Sequence, residues 1–286
     1  LMYEKVPFEK PTPTFYGATD SGILVLENLR ESGYRGKPRG TLLDMDTCKA
    51  VWKSLAQFHA LSTLQLSQVS KRLDPLTIMD RSNSEWIREV FPPIARKLRE
   101  HVLPVCSKDT MVKFDYLIDN ILEVVNLGYF PNKKGFNVIL HGDAHIFNIL
   151  FLEDVKNDLK LKFIDFQSSR RGSPIIDLIY FSIMSMPFEM FDEYRDVLFD
   201  FYVEKFNNVL NIMGVRDEDA HISRQNMNDD FETYKPFFFF VICSAGPTLW
   251  AGDQKVGDSN KRETDLDKLL KSEKYISSFQ GWTKNF

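Results

Sequence analysis

This 286-residue chain is poor in the features that announce many protein classes. It has three cysteines, Cys48, Cys106 and Cys243, odd in number and far apart. That excludes a disulfide framework and zinc-type spacing and fits a reducing compartment, so a cytoplasmic location is expected. It carries no basic excess: the net charge is −4, which argues against a nucleic-acid footprint. No segment reads as a membrane span. The longest apolar stretch, Pro236 to Gly252, is short for a crossing and is interrupted by Gly246 and Pro247, so a buried helix is the better reading. The start, Leu1-Met2-Tyr3-Glu4-Lys5, lacks the shape of a signal peptide, and the missing initiator Met suggests a fragment. Internal repeats and low-complexity tracts are also missing. What remains is an ordinary globular balance, 43% hydrophobic and 27% charged.

The informative stretch runs from Val138 to Gln167. It reads V-I-L-H-G-D-A-H-I-F-N-I-L-F, a polar turn, then L-K-L-K-F-I-D-F-Q. Val138–Leu140 is a short β-type run that stops at His141-Gly142-Asp143. Ile149–Leu152 is a second run, and Leu159, Leu161 and Phe163 alternate with lysines as a half-buried strand does. Asn148 and Asp165 then stand at the ends of a hairpin, with Asp143 on the loop before it. Two carboxylates and an amide converging on one cleft suit phosphoryl transfer. Asp143 would face an acceptor hydroxyl, while Asn148 and Asp165 would hold Mg²⁺ against the phosphates of ATP. The spacing matches the protein-kinase pattern of a catalytic Asp with Asn five positions on, followed by D-F-G. Gly142 and Gln167 depart from that pattern and point to the aminoglycoside phosphotransferase and choline kinase side of the superfamily. A dinuclear metallohydrolase, suggested by Asp143-Ala144-His145, would need further ligands, and only His221 follows.

Elsewhere, residues 1–20 read as a Pro-rich loop and Ile23–Leu26 as a strand ending at Glu27-Asn28-Leu29. Asp44 and Asp46 are N-cap candidates for a helix to about Val69, with Cys48, Val51, Leu55 and Phe58 on one face and His59, read as a core histidine, beside it. A helix over Glu85–Val102 is expected to bend or break at Pro92-Pro93. Another starts at Thr110 and closes at Gly128. Ser168–Ser173 reads as a basic loop, and Pro174 as the first residue of a helix to Met186. That helix carries Asp177, either favouring the helix dipole or bracing the catalytic loop as an acceptor behind it. Further helices are expected at Glu189–Met213, Phe231–Ser244 and Leu266–Phe279, with Arg216–Asp230 as polar loop.

These motifs form an ordered series. Leu24-Val25-Leu26-Glu27-Asn28-Leu29, Leu55-Ala56-Gln57-Phe58-His59-Ala60-Leu61-Ser62, His141-Gly142-Asp143 with Asn148, Ile164-Asp165-Phe166-Gln167 and Ser173-Pro174-Ile175-Ile176-Asp177-Leu178 resemble the ecdysteroid kinase-like (CHK kinase-like) family, from about residue 1 to 280. The resemblance implies an α+β, protein-kinase-like fold, mostly the helical C-lobe. It implies an ATP- and Mg²⁺-dependent kinase acting on a hydroxyl of a small molecule, ecdysteroids included. By the same resemblance Asp143 and His141 would be catalytic, Asn148 and Asp165 metal ligands, and Glu27, Asn28 and Leu29 the contacts to adenine. The family often has Trp where this chain has His145, and an acid where it has Asn28. Only 22 residues precede Ile23, with no G-x-G-x-x-G and only Lys5 and Lys10 as basic candidates, so residues 1–30 read as an N-lobe remnant with hinge strand and residues 31–286 as the C-lobe (core about 24–212). A non-catalytic, kinase-derived binding protein is therefore the alternative function.

Overall fold

The computed structural model describes residues 8–38, 40–66, 87, 89, 91–133, 135–153, 159–249 and 262–286. Small antiparallel sheets sit on a helical body, an α+β architecture. β1 (Phe15–Ala18) and β2 (Leu24–Leu26) form a hairpin. Four residues of the stretch read as loop are thus a strand, because Phe15–Ala18 finds a partner in the strand already expected. The apolar side chains of this hairpin, Phe15, Leu24 and Leu26 among them, are exposed. The preceding segment lies against the second hairpin, β4 (Ile149–Glu153) with β5 (Leu159–Phe163). Phe163 N–H donates to Pro11 O at 2.7 Å, and the buried Lys162 ammonium donates to Lys10 O at 2.6 Å. Arg35 exchanges two backbone bonds with Phe151 on the outer side of β4.

The helical body begins with α1 (Met45–Thr63), where Asp44 caps by accepting from Thr47 N–H at 2.8 Å, as its position suggested. The helix ends at Thr63 rather than near Val69; residues 67–69 lie outside the described part. α2 (Phe91–His101) carries Pro92 and Pro93 in its first turn, and Ile87 and Glu89 just before it are in π-helical conformation, so the helical course changes where the prolines stand. The expected cap at Ser84 and the connector before it fall outside the described residues. The single helix expected from Thr110 is two: α3 (Lys108–Asp119), capped by Ser107, and α4 (Ile121–Tyr129), with the break at Asn120. Gly128 does not close it. It lies inside α4, where an added Cβ would stand 2.2 Å from the ring of Phe237.

β3 (Val138–Leu140) pairs with β6 (Arg170–Gly172), a strand where a loop was expected. Then come α5 (Ile175–Ser185), α6 (Phe188–Ile212) and α7 (Arg224–Ser244). Pro174 stands at the N-cap of α5, one residue before the expected place. α7 starts seven residues before the aromatic run, because Ser223 and Asn226 form a reciprocal capping box. The last expected helix is split at Ser272 into α8 (Arg262–Leu270) and α9 (Glu273–Thr283). α5 is buried almost all round, as an apolar helix with no solvent face must be. α1 packs along α6, with Trp52 stacked on Phe199 at 6.1 Å. Among the described residues no helix is long and apolar enough to cross a membrane, and all three cysteines are free thiols.

Gly128 lets α4 and α7 approach, and Phe237 is confined in the core beside it. Gly128→Ala is expected to lower the unfolding free energy by about 1–3 kcal/mol, the range for overpacking a filled core. Urea denaturation checks it; an unchanged midpoint would show that the ring yields freely.

Candidate functional site

The site is built on the loop between β3 and β4. Its backbone is held by one buried carboxylate. Asp177, 1% exposed in the first turn of α5, accepts from His141 N–H at 2.7 Å and Gly142 N–H at 2.9 Å. The same carboxylate lies 3.0 Å from His59 Nε2, and His59 Nδ1 lies 2.9 Å from the Tyr202 hydroxyl. A carboxylate only accepts, so His59 Nε2 carries a proton and donates to Asp177. His59 is a fully buried histidine, as read from its helical face, and part of the same brace. Burial opposes ionisation of Asp177, but the hydrogen bond and charge of His59, with His141 and Gly142 N–H, outweigh it and hold the carboxyl below its ordinary range.

The loop's conformation requires its glycine. Gly142 has φ +84°, and a Cβ there would stand 2.0 Å from Ser168 O. The space is filled from β6: Arg170 donates to Gly142 O and Ser168 O through Nη1, and to Gly128 O through Nε and Nη2. His141 is fully buried. Its Nε2 donates to Ile164 O at 2.9 Å, and its Nδ1 accepts from Asp143 N–H at 3.2 Å. Burial pushes the ring below the ordinary imidazole range although Asp177 and Asp143 act in the other sense. In this state the ring ties the loop to the strand end before Asp165.

Asp143 is half-buried and points among donors. Asn148 Nδ2 reaches its Oδ2 at 3.1 Å and its backbone carbonyl at 3.0 Å. The Tyr180 hydroxyl donates to Oδ1 at 2.9 Å, and His145 Nε2 lies 3.4 Å from the same oxygen. Burial works against its charge, but His145, Tyr180 and His141 prevail and its carboxyl stays below the usual range. Asn148 uses its amide nitrogen on Asp143, so its amide oxygen faces away from that carboxylate. The hairpin register pairs Ile149 with Phe163, and Ile164 N–H donates to Asn148 O at 2.9 Å. Asp165 therefore stands two residues past the end of the ladder, at the same end of the hairpin as Asn148. It is exposed and has φ +63°, the one positive φ outside glycine among the described residues. Such backbone clusters at functional sites.

An amide oxygen and a carboxylate are hard donors that suit Mg²⁺, which keeps most of its waters. No group of three or more His, Cys, Asp or Glu side chains could hold a metal among the described residues, so a cation here would depend on those two donors, water and phosphate oxygens. Beside Asp143 opens a cavity of about 240 Å³, lined by Gly142, Arg170, Tyr180, Phe237 and Phe240. Phe191 and Phe238 lie in the core, and Phe188 packs on Trp282.

The residues expected at adenine are arranged differently from the rest. The Glu27 carboxylate accepts from Thr14 N–H and its hydroxyl and from the Ser32 hydroxyl, and those bonds, Thr14 N–H foremost, lower its pKa. Leu29 is buried and spends its N–H on Glu27 O at 3.1 Å, so it is not a free donor to a base. Asn28 is exposed and its carbonyl accepts from Glu31 and Ser32. Sequence reasoning missed Tyr180 and Arg170. Tyr180 stands three residues after Asp177, on the same helical face, and that spacing was the available signal. Arg170 had none, since its strand was not recognised.

A helical body with the loop and hairpin set against it belongs to the kinase-like class. The chain belongs to the ecdysteroid kinase-like family, whose sequence model matches residues 2–215. No curated protein matches it. Among solved structures it is similar to an ethanolamine kinase of Plasmodium vivax, at 17% identity and TM-score 0.43, covering 96% of this chain and 67% of that one. It is also similar to the macrolide 2'-phosphotransferase MphH of Brachybacterium faecium, at 14% identity and TM-score 0.41, covering 92% and 74%. A choline/ethanolamine kinase family protein of Mesorhizobium loti follows at 11% identity and TM-score 0.35, covering 94% and 78%.

Asp177→Ala leaves two loop N–H groups and His59 without their acceptor, and is expected to cost about 3–5 kcal/mol at neutral pH. The native carboxyl titrates below its unfolded value, so its contribution is present above about pH 4 and is lost as pH falls through the depressed native value. The gap between wild type and Asp177→Ala in urea unfolding should therefore narrow on acidification below about pH 4; a gap independent of pH would contradict the brace.

Proposed function

We propose that the protein transfers the γ-phosphoryl group of ATP to a hydroxyl of a small molecule, an ecdysteroid or a similar alcohol, in the cytoplasm. Family membership supports a small-molecule kinase of this type. The observation that carries the reading is the grouping at one loop and hairpin end: Asp143 bonded to Asn148, with Asp165 two residues beyond the strand ladder. The three free thiols fit a reducing compartment.

Asp143 lines the cavity, and its carboxyl is held below the usual range. It would accept the acceptor's proton as the alcohol oxygen bonds to the γ-phosphorus and the bond to the β-phosphate oxygen breaks, its electron pair leaving with ADP. Asn148 and Asp165 would hold Mg²⁺, which neutralises charge on the β- and γ-phosphates when bound. His141 keeps the loop in place rather than touching the reacting atoms, and Asp177 supports both loop N–H groups. For the nucleotide base the backbone near Asn28 is the remaining candidate, since the Glu27 side chain and Leu29 N–H are used within the turn.

The test is ATP-dependent phosphorylation of a steroid-alcohol panel in the presence of Mg²⁺. Asp143→Asn is expected to lower kcat by about 10²–10⁴-fold. Equal rates would remove Asp143 from the reaction. Thermal stabilisation by Mg·ATP with transfer to no alcohol would favour the non-catalytic binding protein.

A further inference from the structure

Tyr180 is the residue on the cavity wall whose side chain touches Asp143 directly. Its hydroxyl donates to Asp143 Oδ1 at 2.9 Å, and both residues line the same cavity. Burial first, and the charge of Asp143 second, hold the phenol well above its ordinary pKa, so it remains a protonated donor. Its ring packs beside that of His145, with centroids 6.2 Å apart. His145 in turn accepts from Phe147 N–H at Nδ1, which leaves the proton of the neutral ring on Nε2, facing the same Oδ1.

The carboxylate of Asp143 is therefore crowded on one oxygen and lightly used on the other. Oδ1 receives Tyr180 and lies close to His145, while Oδ2 receives only Asn148 among the described contacts. A carboxylate oxygen accepts about two hydrogen bonds. The second lone pair of Oδ2 is the place left for an acceptor hydroxyl. Rotating the carboxylate about χ2 would break the Tyr180 and Asn148 bonds together, so the orientation is fixed by two donors on separate elements, α5 and the loop before β4.

We propose that Tyr180 is a positioning residue for phosphoryl transfer: it pins Oδ1 of Asp143 so that Oδ2 faces the acceptor hydroxyl. The inference rests on the phosphotransferase reading of Asp143 and adds a role for a residue outside the loop and hairpin motifs. α5 thereby sets the loop twice from one face. Asp177 holds its backbone, and Tyr180, one turn later, holds its reacting side chain.

Tyr180→Phe keeps the ring and removes the bond. It is expected to lower kcat about tenfold or more, the scale of losing orientation at a reacting group. KM for the alcohol should change less than about threefold and Mg·ATP affinity should stay within about twofold, because neither ligand loses a direct contact. Replacing Tyr180 by 3-fluorotyrosine, which retains the hydroxyl, should restore kcat to within about threefold of wild type. Unchanged kcat in Tyr180→Phe, a loss carried wholly by KM, or failure of fluorotyrosine to rescue would each overturn the proposal. If the wild-type protein phosphorylates no alcohol, the phosphotransferase reading fails separately, and the inference is judged on the resting protein. There, the ζ-carbon NMR resonance of labelled Tyr180 should move in Asp143→Asn. A resonance that stays in place would show that no bond exists to position anything.

Discussion

A single buried carboxylate carries the site. Asp177 receives two successive loop N–H groups and the His59 ring, and without it these donors would lose their partner. Leaving such groups unsatisfied costs several kcal/mol, so the loop has one low-energy backbone path. His59 brings α1 into the arrangement and Tyr202 brings α6, so the long packing seam between those helices also sets where the loop lies. The loop is thus anchored to the core rather than to the sheet it leaves.

From that anchor the remaining geometry follows. Gly142 turns with positive φ because a side chain there would strike Ser168 O, and Arg170 fills the gap with a guanidinium shared among three carbonyls. His141 binds Ile164 O, which ties the loop to the end of β5 and so to Asp165. The short ladder from Ile149 to Phe163 fixes Asn148 beside that strand end. Backbone bonds thus set Asn148 against Asp143 and at the start of the hairpin whose second strand leads to Asp165.

Much of this was legible in the residues. The hairpin, the order of Asp143, Asn148 and Asp165, and the cap at Asp44 follow from alternation, spacing and turn chemistry, all local signals. Asp177 was legible only as a choice between helix dipole and brace, because the choice depends on where the loop N–H groups point. Strands β1 and β6 were missed since each is defined by its partner. Gly128 was misread as a helix end because a glycine needed for close approach to Phe237 looks, in sequence, the same as one needed for a turn. The early start of α7 lay in Ser223 and Asn226, a capping box with Asn in the place usually given to Glu or Gln. Tyr180 carries no motif; it is visible only once the helix phase of α5 is known.

The central claim is that Asn148 and Asp165 share one cation in front of Asp143. A crystal structure with Mg²⁺ and a non-hydrolysable ATP analogue tests it most directly. The account predicts a cation about 2.0–2.1 Å from the Asn148 amide oxygen and from an Asp165 carboxylate oxygen, with Asp143 free of the metal and still bonded to Tyr180. A nucleotide bound with its cation held by other residues, or with Asp165 directed away from it, would contradict the account.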